Sequence, residues 1–228
     1  MIKEIMGDLI KMDTHFIAHQ VNCRGVMGAG VAYQVRRRLL GEQSYNDYRA
    51  ICRNMNFRKL LGTNQYCPIK SGQVVVNMFG ENVPTGTKVD TDYKALWRCL
   101  EDLKRSMEQK EKDAAIPGYL GSGLAGGCWE FVYTSIICPL FADCNQTLYI
   151  VYRDDSILRL WNEFQDVPRN KNGGISETWH GFEIFTDSFF IVKWFENTFK
   201  IRAWEDLLGK QDDITPLFSH PLTDTSAS

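Results

Sequence analysis

The stretch from His19 to Ala32, HQVNCRGVMGAGVA, constrains the fold more than any other part of the chain. An apolar run from Phe16 to Val21 ends in polar residues. A loop carrying Gly25, Gly28 and Gly30 follows, and a helical pattern begins at Gly30. Strand, glycine loop and helix in that order allow backbone to approach a ligand closely. The N–H groups of the loop and of the helix start form an anion cradle. A tight turn without a ligand would use the same residues, so one such loop does not decide the matter.

A second stretch repeats the arrangement. Ala114 to Ile116 reads as a short strand, followed by Pro117-Gly118-Tyr119-Leu120-Gly121-Ser122-Gly123-Leu124-Ala125-Gly126-Gly127 and a helix from Trp129 to Leu140. Between the two loops lies a regular alternation. A helix is expected over Gly30 to Leu40, with Val31, Val35 and Leu39 on one stripe. A second is expected over Tyr45 to Met55, capped by Ser44, with Tyr48, Ile51, Cys52 and Met55 as its apolar face. Gln65–Ile69 and Gln73–Phe79 read as strands joined by a Lys-Ser-Gly turn, and Val74-Val75-Val76 suggests burial on both faces. A loop over Asn82 to Asp90 leads to a helix capped by Thr91 or Asp92. Its apolar stripe is Leu96, Cys99, Leu100, Leu103 and Met107. Ile2–Ile5, His15–Val21 and Thr147–Tyr152 complete the strands. Alternating strands and helices predict an α/β domain with a mostly parallel sheet and helices on both faces. Ligands of such sheets bind outside the strand carboxyl ends, where both glycine loops belong.

Charge and cysteine usage narrow the partners. The formal net charge is −2 and the pI about 6.1. Strong non-specific nucleic-acid binding is not expected, because it needs many phosphate-neutralising cations. Arg36-Arg37-Arg38 reads as the solvated end of a helix. Seven scattered cysteines with no CxxC pair predict free thiols, no zinc site and a cytoplasmic setting. The start, Met1-Ile2-Lys3-Glu4, has no signal-peptide pattern, and no run approaches the ~20 apolar residues of a membrane span.

Three ordered motifs then resemble the macro domain, over roughly residues 1 to 153: Gly7-Asp8-Leu9; Asn22 with Gly28-Ala29-Gly30-Val31-Ala32; and Gly121-Ser122-Gly123-Leu124-Ala125-Gly126-Gly127 with Trp129-Glu130. The likeness is nearest the branch holding the terminal ADP-ribose protein glycohydrolase, its bacterial and phage relatives, and the yeast ADP-ribose-1''-phosphate phosphatase. It implies a three-layer αβα domain with a mixed, mostly parallel sheet that binds ADP-ribose. On that likeness Asp8 accepts from the adenine amino group, and the backbone at Leu9 and Ile10 lines the adenine end. Asn22 contacts the distal ribose. Gly28, Ala29, Gly30 and Val31 grip the diphosphate from one side, and Gly121, Ser122, Gly123, Leu124, Ala125 and Gly126 from the other.

Turnover is less well marked. The deacylating glycohydrolases of that branch use a lysine on the strand near residues 76 to 80 and an aspartate in the second glycine loop. This chain has Asn77-Met78-Phe79-Gly80 and Ala125 there. Lys88 lies in the following loop and reads as surface. The phosphatase likeness rests on His19-Gln20-Val21-Asn22-Cys23-Arg24-Gly25 and makes His19 a candidate nucleophile or general acid/base. A core histidine is the equal alternative. Asn22 is a candidate for placing a water. Cys23 would act only with a lowered pKa. The expected function is therefore ADP-ribose binding with hydrolysis of an ADP-ribosyl linkage or a terminal phosphate. The alternative is a non-catalytic reader or sink of an NAD-derived metabolite. The expected partner is ADP-ribose or an ADP-ribosylated substrate, with no membrane, no metal and no cofactor.

Past residue 153 the composition shifts. Trp161, Phe164, Trp179, Phe182, Phe185, Phe189, Phe190, Trp194, Phe195, Phe199 and Trp204 mark residues 154–210 as a small, mainly helical, aromatic-rich extension. Residues 211–228 are polar and read as a disordered tail.

Overall fold

The computed structural model describes residues 1–153; the extension expected over 154–210 and the tail over 211–228 lie outside the described residues. Six strands form one sheet: β1 (Ile2–Met6), β2 (Phe16–Asn22), β3 (Asn64–Pro68), β4 (Val74–Glu81), β5 (Ala114–Pro117) and β6 (Leu148–Tyr152). Their order is β1-β6-β5-β2-β4-β3, and every pairing is parallel except β3 with β4. The mostly parallel sheet expected from the alternation is present, and it is mixed, as the resemblance implies. The antiparallel edge follows from the short turn between β3 and β4, which leaves no room for a crossover.

Helices cover both faces, because strands of a central parallel sheet bury both rows of side chains. Phe16, Ala18, Val76 and Met78 pack with Leu96, Cys99, Leu100, Leu103 and Met107 of α4 (Tyr93–Lys110), and with Trp129, Ile136, Ile137 and Phe141. The other row, Val21, Val75 and Phe79, packs with Val35, Tyr45, Tyr48 and Leu60 of α1 (Gly30–Arg38), α2 (Glu42–Asn54) and α3 (Phe57–Leu60). The α4 stripe is the one read from spacing. Each such residue contributes roughly 1.5–3 kcal/mol by leaving water. Asp92 caps α4, its carboxylate accepting from the Ala95 N–H at 2.8 Å.

Some boundaries differ from expectation. Helix α2 begins at Glu42 with Gly41 as its N-cap, so Ser44 lies inside the helix and caps nothing. The earlier start brings Tyr45 as well as Tyr48 into the core. Met55 is the C-cap of α2, extended and 44% exposed, and not part of its apolar face. Helix α3 was not foreseen; Asn56 starts it by accepting from the Arg58 N–H, and Leu60 is buried. The helix expected over Trp129 to Leu140 is divided into α5 (Trp129–Phe131), a π-helical stretch (Val132–Ile137) and α6 (Cys138–Phe141). Among the described residues no helix is long and apolar enough to cross a membrane.

Candidate functional site

Four connections leave the sheet at the carboxyl ends of parallel strands: the turn after β1, the glycine loop after β2, the loop after β4 and the glycine loop after β5. At the end of β2 the register with β4 shifts between Val21 and Asn22, and the Cys23 N–H donates to the Glu81 carbonyl at 2.9 Å. The Asn22 side chain then folds the chain back. Its Oδ1 accepts from the Arg24 and Val26 N–H groups at 3.0 and 3.2 Å, and its Nδ2 donates to the Val26 carbonyl at 2.8 Å. The buried Tyr48 hydroxyl donates to the Asn22 carbonyl at 2.7 Å. This loop delivers the chain to α1, whose N-cap residue Ala29 supplies no side-chain acceptor. The leading N–H groups of α1 therefore have no side-chain cap, the state in which a helix start favours an anion.

The second loop is built from small backbone turns. The Ser122 N–H donates to the Tyr119 carbonyl, Gly126 to Gly123 and Gly127 to Gly121, all within 2.9–3.0 Å. It is anchored by residues that the sequence reading did not assign to the site. Thr91 Oγ1 donates to the Gly121 carbonyl, and the N–H groups of Asp90 and Thr91 both donate to the Ala125 carbonyl. Gln20 Nε2 donates to Thr91 Oγ1 at 3.0 Å. Asp90 accepts from Thr85 N, Thr85 Oγ1 and Gly86 N at 2.6–2.8 Å and so shapes the neighbouring loop. The available signals were slight: Gln20 is a polar residue at the end of an apolar strand, and Thr91 read only as one of two helix caps.

The two loops meet. A β-carbon placed on Gly30 would stand 3.5 Å from Cδ1 of Leu124, and Gly30 has φ +58°. The contact shown between the loops is thus the one between Gly30 and Leu124. Apolar side chains are exposed here: Val26 at 49%, Val31 at 39% and Leu124 at 54%. Val31 sits on the stripe expected to be buried, yet it faces out beside the loop. Ser122 is fully buried, and its N–H is already taken by the Tyr119 carbonyl.

Asp8 stands at the end of β1. Its Oδ1 accepts from the Ile10 N–H at 3.1 Å and starts a 3₁₀ turn over Leu9–Lys11, while its Oδ2 pairs with Arg38 of α1 at 3.1 Å. Leu9 is buried and Ile10 half-buried.

His19, a candidate catalytic group by sequence, lies in the interior beside Asn77. It points into the α1–α3 side of the core, is 1% exposed, and has Nε2 2.8 Å from Oδ1 of Asn77. Burial pushes its pKa down to about 4, so it is a neutral core histidine near pH 7. Cys23 is also buried, and burial pushes its thiol up to about 12, the reverse of an activated nucleophile. Lys88 is exposed in the loop after β4. All seven cysteines are free. An open concavity of about 440 Å³, lined by Met12, Asp13, Thr14, His15, Glu111, Asp113 and Tyr149, lies at the other end of the sheet, before β2 and β5.

No protein-family model matches the chain. A DNA ADP-ribosyl glycohydrolase of Mycobacterium tuberculosis is 28% identical over 141 residues, which is 58% of this chain and 36% of that protein. The match thus spans little more than a third of the relative's length. The macrodomain of Mycobacterium tuberculosis DarG superimposes with a TM-score of 0.57 at 24% identity, covering 68% of this chain and 99% of that one. Thermosipho africanus DarTG, solved in complex with ADP-ribose, gives 0.52 at 16% identity over 66% of this chain and 42% of that one. The described residues share the fold of these macrodomains.

Proposed function

We propose that the crevice between the two glycine loops binds ADP-ribose and that the protein removes ADP-ribose from a modified nucleic-acid base. The observation that carries the first part is the approach of Gly30 to Leu124 at the carboxyl edge of the sheet. Two N–H-rich loops on either side of one groove can neutralise a diphosphate without cationic side chains. Asp8 then accepts from adenine, with Leu9 and Ile10 beneath the base. The second part draws on the named activity of the mycobacterial relative.

Three of Asn22's amide bonds hold the 22–26 turn, so it acts mainly by positioning. Its second Nδ2 hydrogen is left for the distal ribose. With His19 and Cys23 buried, the attacking group is water. A second reading, a reader without turnover, is favoured by Asn77-Met78-Phe79-Gly80 and Ala125, where the deacylating glycohydrolases would carry a lysine and an aspartate.

Calorimetry with ADP-ribose tests binding. Incubation with an ADP-ribosylated oligonucleotide, and separately with ADP-ribose-1''-phosphate, tests turnover. Release of unmodified oligonucleotide supports the glycohydrolase. Binding without consumption of either substrate leaves the reader.

A further inference from the structure

The net charge of −2 conceals a strong segregation. Residues 24–59 hold seven arginines and one lysine against Glu42 and Asp47, a local charge of +6. The arginines are clustered around two aromatic rings. Arg36 lies 3.8 Å from the centre of the Tyr45 ring, and Arg49 5.8 Å from the same ring. Arg24 and Arg58 each lie 5.7 Å from the Phe57 ring. The two groups adjoin, because a β-carbon on Gly25, next to Arg24, would meet the Arg49 Cα at 3.4 Å. Arg53 follows Arg49 by one helical turn and shares its face.

Two aromatic rings thus each carry two guanidinium groups. Among the described residues, no carboxylate forms an ion pair with Arg24, Arg36, Arg49, Arg53 or Arg58. Like charges gathered without counter-charges repel one another, and an external polyanion relieves that. Guanidinium planes held against rings keep their N–H edges ordered for phosphate. The face borders the first glycine loop through Arg24 and Gly25.

We infer that Arg24, Arg36, Arg49, Arg53 and Arg58 form a docking surface for the phosphates of a DNA strand, alongside the crevice that takes its ADP-ribosyl group. This rests on the glycohydrolase reading above. Such docking is sequence-independent and salt-dependent, and it is local enough to coexist with a net negative chain.

The test is anisotropy titration of the full chain against a labelled, unmodified single-stranded DNA 12-mer at several salt concentrations. Five phosphate contacts predict a log–log salt slope of about −3.5, at about −0.7 per contact on a single strand. The double variant Arg53→Glu/Arg58→Glu, at two exposed positions, should weaken binding more than tenfold and flatten the slope. Lys104→Glu/Arg105→Glu on α4 changes net charge equally and should leave binding near wild type. Equal loss in both variants, or no salt-dependent binding by wild type, overturns the proposal. Calorimetry with ADP-ribose should be unchanged in Arg53→Glu/Arg58→Glu. If no form binds ADP-ribose while the DNA effect holds, the crevice reading fails and the docking surface stands.

Discussion

His19 Nε2 lies 2.8 Å from Oδ1 of Asn77, between two strands whose side chains are closed to water. Asn77 Nδ2 donates to Gln65 Oε1 at 2.9 Å, which leaves its Oδ1 as acceptor and places the imidazole proton on Nε2. The pair bridges β2 and β4 inside the sheet, and a charged imidazole there would lose its hydration.

A pH dependence of stability follows. Burial lowers the folded-state pKa of His19 to about 4, from an unfolded value near 6.5. Below pH ~6.5 the unfolded chain takes up a proton that the folded chain refuses. This contribution is fully present above that pH, is lost as pH falls toward 4, and is level below 4. The full span is about 3 kcal/mol. His19→Gln should show a shallower fall in urea midpoint between pH 7 and pH 5 than wild type. Parallel falls would place the proton uptake elsewhere. Turnover, if His19 is structural, should follow the folded fraction of His19→Gln.

Asn22→Ala removes the acceptor for two N–H groups and the donor to one carbonyl in the 22–26 turn. Unsatisfied buried groups cost roughly 1–3 kcal/mol each, less where water reaches the turn. A loss of about 2–3 kcal/mol in stability is expected, with ADP-ribose binding weakened in the folded fraction. Asn22→Asp retains the acceptor for the two N–H groups but sets a carboxylate oxygen against the Val26 carbonyl, and should recover only part of the stability. Denaturant melts of both variants check this, and an alanine variant as stable as wild type would remove Asn22 from the architecture of the loop.

The contrast between Asn22 and His19 marks what sequence could disclose. Glycines at strand ends and the α4 stripe are local signals that local physics placed correctly, and of the two caps it offered, Thr91 and Asp92, the structure uses Asp92. Polar side chains in a strand are different. His19, Gln20 and Asn22 are near neighbours in one segment, yet His19 faces Asn77, Gln20 reaches Thr91, and Asn22 folds back on Val26. Which one reaches a ligand depends on partners 4 to 71 positions away. Helix α2 makes the same point. Its start at Glu42 is set by packing Tyr45 and Tyr48 under the sheet, and Ser44, a good cap by propensity, is passed over.

Cys23 offers a test of reactivity. With its pKa pushed up to about 12, the thiolate fraction at pH 8 is on the order of 10⁻⁴. Mass spectrometry after iodoacetamide treatment of the native protein should find Cys23 unmodified. Cys23→Ala should retain whatever turnover wild type has. Rapid alkylation would show that the loop opens more readily than its packing implies.

Asp8 separates recognition from stability. In Asp8→Asn the side-chain oxygen can still accept from the Ile10 N–H, so the 3₁₀ turn persists, while the half-exposed pair with Arg38 is lost. Pairs of that exposure contribute about 0–1 kcal/mol, so the melting temperature should barely move. A charge-assisted bond to adenine contributes roughly 1.5–3 kcal/mol, so ADP-ribose affinity should fall about tenfold or more. Ribose 5-phosphate, which lacks the base, should bind both forms alike. Equal loss for the two ligands would assign Asp8 to the architecture of the crevice instead of to adenine.

Gly30→Val tests the groove itself. Gly30 has φ +58°, a conformation that costs an L-residue about 1–2 kcal/mol, and its absent side chain would project toward Leu124 Cδ1. A branched side chain there fills the space between the loops and turns the first N–H groups of α1 away from the diphosphate. ADP-ribose affinity measured by calorimetry should fall more than tenfold. Two causes can be told apart by adding Leu124→Ala. If crowding across the groove dominates, the second substitution restores much of the affinity. If backbone strain at position 30 dominates, it restores none. Binding by Gly30→Val indistinguishable from wild type would mean that the ligand does not pass between these loops.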